Sequence, residues 1–277
     1  MNNNYLNIFQ TATEHNKIYP IYNIEDPWVS ICEDTGKVYY NRLDEYSWIE
    51  IGGIRWCTKL LGATTSYDYT AKFYQWGDII GYSEPNSSKT VHNYNRASYK
   101  FNDGYSDYNP EAWAKYSGDV LTASFTLNYD YDAAYMEMNK STELSNEYIW
   151  RIPTLKELSV LVSHKVTLSS TTVTGYDGTE IQLSSTPGVG TINGVTGMCF
   201  AENVTGITDV LFIPFRGNGY NNYVANVGNA CFVWSSTLVK ASPDYSYYMY
   251  AGKNDLGTFG QGKCFGYQIL PIYAKRE

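Results

Sequence analysis

From residue 166 to the end, the chain carries short runs of β-branched and aromatic residues separated by turn formers, and nothing with the period of a helix. VTLSSTTV, TEIQLSST, DVLFIPF, CFVWSST, DYSYYMYAG and CFGYQILPIY read as strands. Helix is therefore confined to the first part of the chain, where the run Pro153 to Val162 has the clearest signature. Thr154 offers an N-cap, Glu157 closes a capping box, and apolar side chains fall at 155, 158, 161 and 162. A shorter helix over 131–138 starts from Asp130 or Asp132. VSICEDTGKVYYN (29–41) reads as a hairpin around Asp34-Thr35-Gly36. WIEIGGIRWCTKLLGA (48–63) is apolar and β-branched, interrupted by Gly52-Gly53, and the tyrosine-studded stretch from about 81 to 125 reads as long loops. There is no internal repeat and no β-α-β alternation. The expected class is α+β, with few helices, small antiparallel sheets and long loops. Residues 1–46 form an N-terminal extension with the hairpin, and 47–277 the main domain.

Charge narrows the partners. At a net charge of -8 the chain repels a phosphate backbone, and no run of lysine or arginine builds a local basic patch, so nucleic acid is not an expected partner. No apolar run approaches the roughly 20 residues that span a bilayer, and MNNNYLNIFQ lacks the basic start and apolar segment of a signal peptide. Membrane insertion is not expected. The five cysteines form no CxxC pair and read as buried, reduced thiols.

Tyrosine is the unusual residue, 28 of 277, joined by 23 asparagines and 23 glycines. Tyrosine gives rigid contact area with a polar tip while asparagine and glycine give adaptable loops, which is the chemistry of a paratope; a β-rich protein using tyrosine in strands has the same composition. RGNGYNNYVANVGN (216–229) concentrates the signal between two expected strands. Its candidate ligand contacts are Asn218, Tyr220, Asn221, Asn222, Tyr223, Asn226 and Asn229, against the plain alternative of a surface loop. SPDYSYYMYAGKND (242–255) adds Asp244, Tyr245, Tyr247 and Asn254. On a strand, Tyr245, Tyr247 and Met249 face one way and Ser246, Tyr248 and Tyr250 the other.

Four blocks resemble, in order, those of the Fibrobacter succinogenes major paralogous domain family: IEIGGIRWCTKLLGATTSYDYTAKFYQWGD (49–78), LNYDYDAAYMEM with YIWRIPTLKELSVLV (127–162), VLFIPFRGNGYNNYVANVGNACFVWSST (210–237) and FGYQILPI (265–272). The resemblance implies a C-type-lectin-like fold with ligand sites on C-terminal loops. It also implies likeness to the variable proteins of diversity-generating retroelements, with a variable region at about 216–272. Asn226-Val227-Gly228 then becomes the fixed foot of the loop and Asn218 to Tyr223 the part free to vary. Tyr248 and Tyr250 point inward, leaving Tyr245 and Tyr247 outward, and Trp150 and Trp234 serve the scaffold. The chain departs from the family at Leu270, where an arginine is usual, at Arg216, which sits close to Pro214, and in the long stretch 81–125, for which a special role is expected.

Other chemistry finds little support. Glu84-Pro85-Asn86 is similar to the calcium- and sugar-binding tripeptide of mannose-type lectins, but it lies early in the chain without its Trp-Asn-Asp partner; coincidence is the better account, and no cofactor is expected. The three histidines lack metal spacing, no nucleophile elbow appears, and GVGTINGVTG (188–197) does not join a strand to a helix as a phosphate loop does. The expectation is a non-catalytic protein that binds a protein or glycan receptor on a cell surface, carried on a phage tail tip or a bacterial surface. The alternatives are a fixed-specificity glycan-binding or structural module and, further off, a hydrolase or oxygenase.

Overall fold

The structure, a computed structural model, describes residues 18–20, 29–32, 38–40, 46–84, 92–95, 114–116, 125–127, 129–139, 148–239 and 244–276. The chain divides into two units, Met1–Ser47 and Trp48–Glu277. In the first, β1 (Ile18–Pro20), β2 (Val29–Cys32) and β3 (Val38–Tyr40) form an antiparallel sheet in sequence order. Asp34-Thr35-Gly36, expected at the β2–β3 turn, lies outside the described residues.

The second unit opens with β4 (Trp48–Ile51) and β5 (Ile54–Cys57), whose register pairs Ile51 with Ile54. The Gly52-Gly53 pair is thus a two-residue hairpin turn, with both φ values positive (62° and 71°), a conformation glycine adopts without cost. Next come β6 (Ala114–Tyr116) and β7 (Phe125–Leu127), a 3-10 turn at Tyr129–Tyr131, and α1 (Ala133–Met138). Asp132 caps α1, its Oδ1 accepting the Tyr135 N–H at 2.9 Å while Oδ2 accepts the Ile152 N–H at 2.8 Å. After β8 (Tyr148–Arg151) comes α2 (Leu155–Ser163), capped by Thr154 with the Glu157 side chain returning to the Thr154 N–H at 2.7 Å. Both helices stand where their capping residues place them.

Eleven strands follow: β9 (Thr172–Thr174), β10 (Glu180–Leu183), β11 (Val189–Ile192), β12 (Val195–Phe200), β13 (Leu211–Pro214), β14 (Asn218–Tyr220), β15 (Tyr223–Ala225), β16 (Ala230–Leu238), β17 (Tyr245–Gly252), β18 (Leu256–Gly262) and β19 (Ile272–Lys275). They build a sheet in the order β13-β12-β11-β10-β9, another in the order β18-β17-β16-β7-β6, a third in the order β4-β5-β19-β8, and the β14–β15 hairpin, with every strand pair antiparallel. The class is sheet-rich α+β. GVGTINGVTG is the β11–β12 hairpin turning at Asn193-Gly194, both at positive φ.

Alternation along the strands feeds two cores. Met198 and Phe200 of β12, with Leu211 and Ile213 of β13, join Leu158 and Leu161 of α2, Ile51, Trp56, Met249 and Ile272. Cys199, Val210 and Phe212 face the other way, onto Val173, Ile181 and Ile192. Leu270, 1% exposed, belongs to the first core, so the position where the resembling family has arginine is filled apolar here. Trp234 is buried and its indole N–H donates to the Tyr74 carbonyl at 2.8 Å, tying β16 to the 73–76 segment.

Candidate functional site

The stretch 217–226 is a hairpin held at every level. β14 and β15 pair Asn218 with Ala225, Gly219 with Val224 and Tyr220 with Tyr223, leaving Asn221-Asn222 as a two-residue turn in which Asn221 adopts a left-handed φ of 49°. Asparagine tolerates that region better than most residues. The free edge of β14 is also bonded. Gly219 exchanges two backbone hydrogen bonds with Gly266 (2.7 and 3.0 Å), and Asn221 exchanges two with Tyr94 (2.6 and 3.1 Å). At the base, Gln268, fully buried, donates from its side-chain amide to the Gly217 carbonyl at 3.0 Å.

Tyr94 is the wedge of this arrangement. Its ring is 1% exposed and lies against both glycines: a Cβ at Gly219 or Gly266 would come within 2.4 Å of ring carbons. The phenol donates to Glu84 Oε1 at 3.1 Å, and the same oxygen accepts the His92 N–H at 2.8 Å. Burial, then the neighbouring Glu84 carboxylate, raises the phenol's pKa, so it stays a donor. His92 stacks on Tyr82 at 3.7 Å between centroids. Arg216 is buried with its guanidinium 4.3 Å from the centre of the Phe73 ring, and donates to the carbonyls of Ala71 and Glu84. Burial lowers its pKa to about 10, which leaves it charged at neutral pH. Glu84, the first residue of the lectin-like tripeptide, thus spends its carboxylate within the fold; Pro85 and Asn86 lie outside the described residues.

Three of the expected contacts present large exposed rings: Tyr220, Tyr223 and Tyr245, 38, 40 and 42% exposed. Asn222, Asn226, Asn229 and Asn254 are also exposed, and Asn221, Asp244 and Tyr247 are half-buried. Asn218 is a correction: it is 6% exposed, and its Oδ1 accepts the Asn226 side-chain amide at 2.8 Å. It lies at the foot of the hairpin, paired with Ala225 and bonded by the Asn226 amide, and the exposed stretch begins at Tyr220.

The expected faces of β17 also need correcting. The strand is covered on both sides, because Met249, on the face of Tyr245 and Tyr247, lies in the main core while Tyr248 is buried among Phe232, Trp234 and Tyr267. Only the Tyr245 end of the Tyr247 face is open. Asn254 lies at the opposite end, next to Lys253, whose Nζ donates to Asn229 Oδ1 at 3.0 Å. With ~3.4 Å per strand residue, Tyr245 and Asn254 are separated by nearly the length of β17 and do not share one site.

A second group of residues escaped the sequence reading. Tyr223 meets Tyr220 edge-on at 5.6 Å, Tyr220 stacks on Phe265 at 5.2 Å, and Phe265 adjoins Tyr267 at 6.0 Å. Tyr267 adjoins Tyr248 at 4.9 Å, and Tyr248 leads at 6.1 Å to Phe259, 49% exposed on β18. The hairpin and the β16–β18 sheet therefore share one chain of rings with exposed aromatics at both ends. The glycine-rich run around Phe259 reads as a loop, and nothing local in the CFGYQILPIY strand ties Phe265 to the hairpin.

Among the described residues no group of three histidine, cysteine, aspartate or glutamate side chains converges to hold a metal ion, and no helix is long and apolar enough to cross a membrane. Comparison of the chain with protein-family models, with curated proteins and with solved structures finds no match. The fold and the surface define the molecule only as a sheet-rich α+β protein that displays aromatic and amide side chains on a braced hairpin.

Proposed function

We propose that this protein is a non-catalytic ligand-binding protein. It displays a Tyr/Asn-rich surface, diversified by a retroelement, on a C-type-lectin-like scaffold, and it engages a protein or glycan receptor on a cell surface from a phage tail tip or a bacterial envelope. One observation supports this above others. The hairpin's backbone is fixed by Gly266, Tyr94 and Gln268, while its exposed side chains, Tyr220, Asn222 and Tyr223, contribute little to that fixing. A rigid frame with replaceable side chains is what recognition without ordering cost requires.

The test uses fluorescently labelled protein on intact bacterial cells. Wild type is expected to bind, and the Tyr220→Ala/Tyr223→Ala double variant, folded to the same melting temperature, to lose binding. Equal binding by both would remove the hairpin from the reading. Sequencing around the gene tests diversification: a reverse transcriptase and an imperfect repeat of the codons for 216–272 are expected, and their absence would leave a fixed-specificity binder.

A further inference from the structure

The sheet β18-β17-β16-β7-β6 ends on β18, and the chain around it, 244–276, is described without a gap. Two backbone hydrogen bonds fix which way the polar groups of β18 point. At the turn the Gly252 N–H donates to the Asp255 carbonyl at 2.8 Å, and at the far end the Lys263 N–H donates to the Asp244 carbonyl at 3.0 Å. Both pairs continue the β17–β18 register, in which Tyr248 faces Phe259. Bonded and non-bonded pairs alternate along an antiparallel ladder, so Gly257, Phe259 and Gln261 bond to β17 while Leu256, Thr258, Gly260 and Gly262 turn N–H and C=O outward. Gly262 finds partners locally: its N–H donates to Gln261 Oε1 at 3.0 Å and its carbonyl accepts the Phe265 N–H at 3.3 Å. The six outward groups of Leu256, Thr258 and Gly260 have no partner among the described residues. Other edges are closed, β14 by Gly266 and Tyr94, and β8 by Asn139, whose side-chain amide takes the Trp150 N–H (3.1 Å) and carbonyl (2.8 Å). β18 also lacks the usual defences of an edge, having no lysine, proline, bulge or charge, and Phe259 stands 49% exposed on it.

We infer that β18 is a self-association strand, which pairs antiparallel with β18 of a second copy of this chain about a two-fold axis at Thr258. Outward-bonding residues must face each other, and this centre uses all three: Leu256 opposite Gly260 of the second copy, Thr258 opposite Thr258, and Gly260 opposite Leu256. All six free groups are then bonded. The side chains fit the same centre. Gly257 falls opposite Phe259 of the second copy, at a non-bonded pair where Cα atoms approach to about 4.5 Å. The Phe259 ring already leans over Gly257 of its own strand, 3.2 Å from where a Cβ would sit, so two rings can lie side by side across the axis, each over a bare glycine. A strand of unrelated sequence would have to bring its own glycine to this place; a second copy always does. No like charges meet across the seam, a condition that two chains at -8 each must satisfy, and the flanking Asp255 falls opposite Gln261. The pairing is independent of the hairpin's role, and it would put two copies of the hairpin on one particle, where avidity adds to the affinity of each.

Light scattering of the full chain after size exclusion tests this. A dimer of twice 31.4 kDa is expected at micromolar concentration. Thr258→Pro removes an outward N–H and leaves the β17–β18 bonds in place, so it should weaken the dimer by roughly tenfold or more while the circular dichroism spectrum stays that of wild type. Thr258→Cys reads the register without disturbing the edge: thiols on a bonded pair, with Cα atoms about 5.5 Å apart, should give a covalent dimer on mild oxidation where the wild-type chain gives none. A wild type that stays monomeric overturns the inference, and so does a dimer that Thr258→Pro leaves intact, since its interface then lies elsewhere. A monomer that loses cell binding on Thr258→Pro would overturn the second copy in favour of a strand from another protein. None of these outcomes depends on Tyr220 or Tyr223, so the hairpin reading stands or falls separately.

Discussion

The side-chain amide of Asn226 donates to Oδ1 of Asn218 at 2.8 Å, closing the base of the hairpin from inside. Asn226 holds a left-handed φ of 61°, and Asn218 is nearly inaccessible. Two of the five asparagines in 216–229 are thus bonded to each other across the foot of the hairpin, and its exposed rings, Tyr220 and Tyr223, stand at the tip. The same division between frame and tip governs what substitutions should do.

Gly219→Ala is expected to destabilise the protein by about 1 to 3 kcal/mol, the usual range for forcing a methyl into filled space. The reason is the Tyr94 ring, 2.4 Å from where the Cβ would sit, because the backbone at Gly219 is otherwise one that alanine tolerates. Tyr223→Ser, exposed on the tip, should stay within about 0.5 kcal/mol of wild type. Urea unfolding measures both. Adding Tyr94→Ala to Gly219→Ala should cost less than the sum of the two single changes; strict additivity would show that ring and glycine are not in contact.

The helix caps make an equally local prediction. Glu157 receives two guanidinium bonds from Arg151 (2.7 and 2.9 Å) and closes the Thr154 capping box. Burial pushes its carboxyl upward, but the Arg151 bonds and charge, with the Thr154 bonds, outweigh this and hold it below its usual value of 4.5. A depressed folded-state pKa contributes stability that is present above about 4.5 and lost as pH falls through the lower folded value. Glu157→Gln should therefore cost about 1 to 2 kcal/mol at pH 7 and progressively less under acid. Thermal melts between pH 7 and 3 would show it; a cost that does not shrink on acidification would argue against the ion pair.

Those caps were legible in the sequence because they are written within four residues: Thr154 with Glu157, and Asp132 ahead of Ala133. Hairpins were legible in part. Asn193-Gly194 carries the strongest two-residue turn signal there is but sits inside the glycine-rich run GVGTINGVTG, which dilutes it, and Gly52-Gly53 reads as an interruption when it is the turn itself. The loop 216–229 was located correctly, but its frame was not, because Tyr94 reaches it across more than 120 residues and Gly266 from 47 positions further on. Nothing local in HNYN marks a wedge. The alternation along β17 was read correctly, but its openness was not, since two-sided burial depends on Phe232 and Tyr267 on one face and α2 on the other.

Thiol chemistry separates the described cysteines. Burial pushes the thiols of Cys57, Cys199 and Cys231 up to about 12, which leaves almost no thiolate at neutral pH, whereas Cys264 is half-buried. The thiolate is the reactive species. Iodoacetamide at pH 8 should label Cys264 well before these three in the native state, and all of them at comparable rates in urea, as read by peptide mass spectrometry. Early labelling of Cys231 would place it outside the core.

Lys263 gives the sharpest pH signature. Its side chain is buried, with Nζ 5.2 Å from the centre of the Trp76 ring. Burial lowers its pKa from 10.5 to about 7, and Asp244 offsets this only in part. Between those two values the unfolded chain holds a proton that the native protein has released, so stability rises with pH across the window and levels off below it. At ~1.4 kcal/mol per pH unit for one proton, the gain between about pH 7 and 8.5 should approach ~2 kcal/mol. Lys263→Met keeps the length of the side chain, removes the charge and should be more stable than wild type at pH 6. Its stability should also lose the rise between about pH 7 and 8.5, so that the two proteins converge as the wild-type lysine becomes neutral. Urea denaturation at intervals across that range measures the difference directly. Parallel curves for the two proteins would mean that Lys263 keeps its proton at neutral pH, with Asp244 compensating its burial in full.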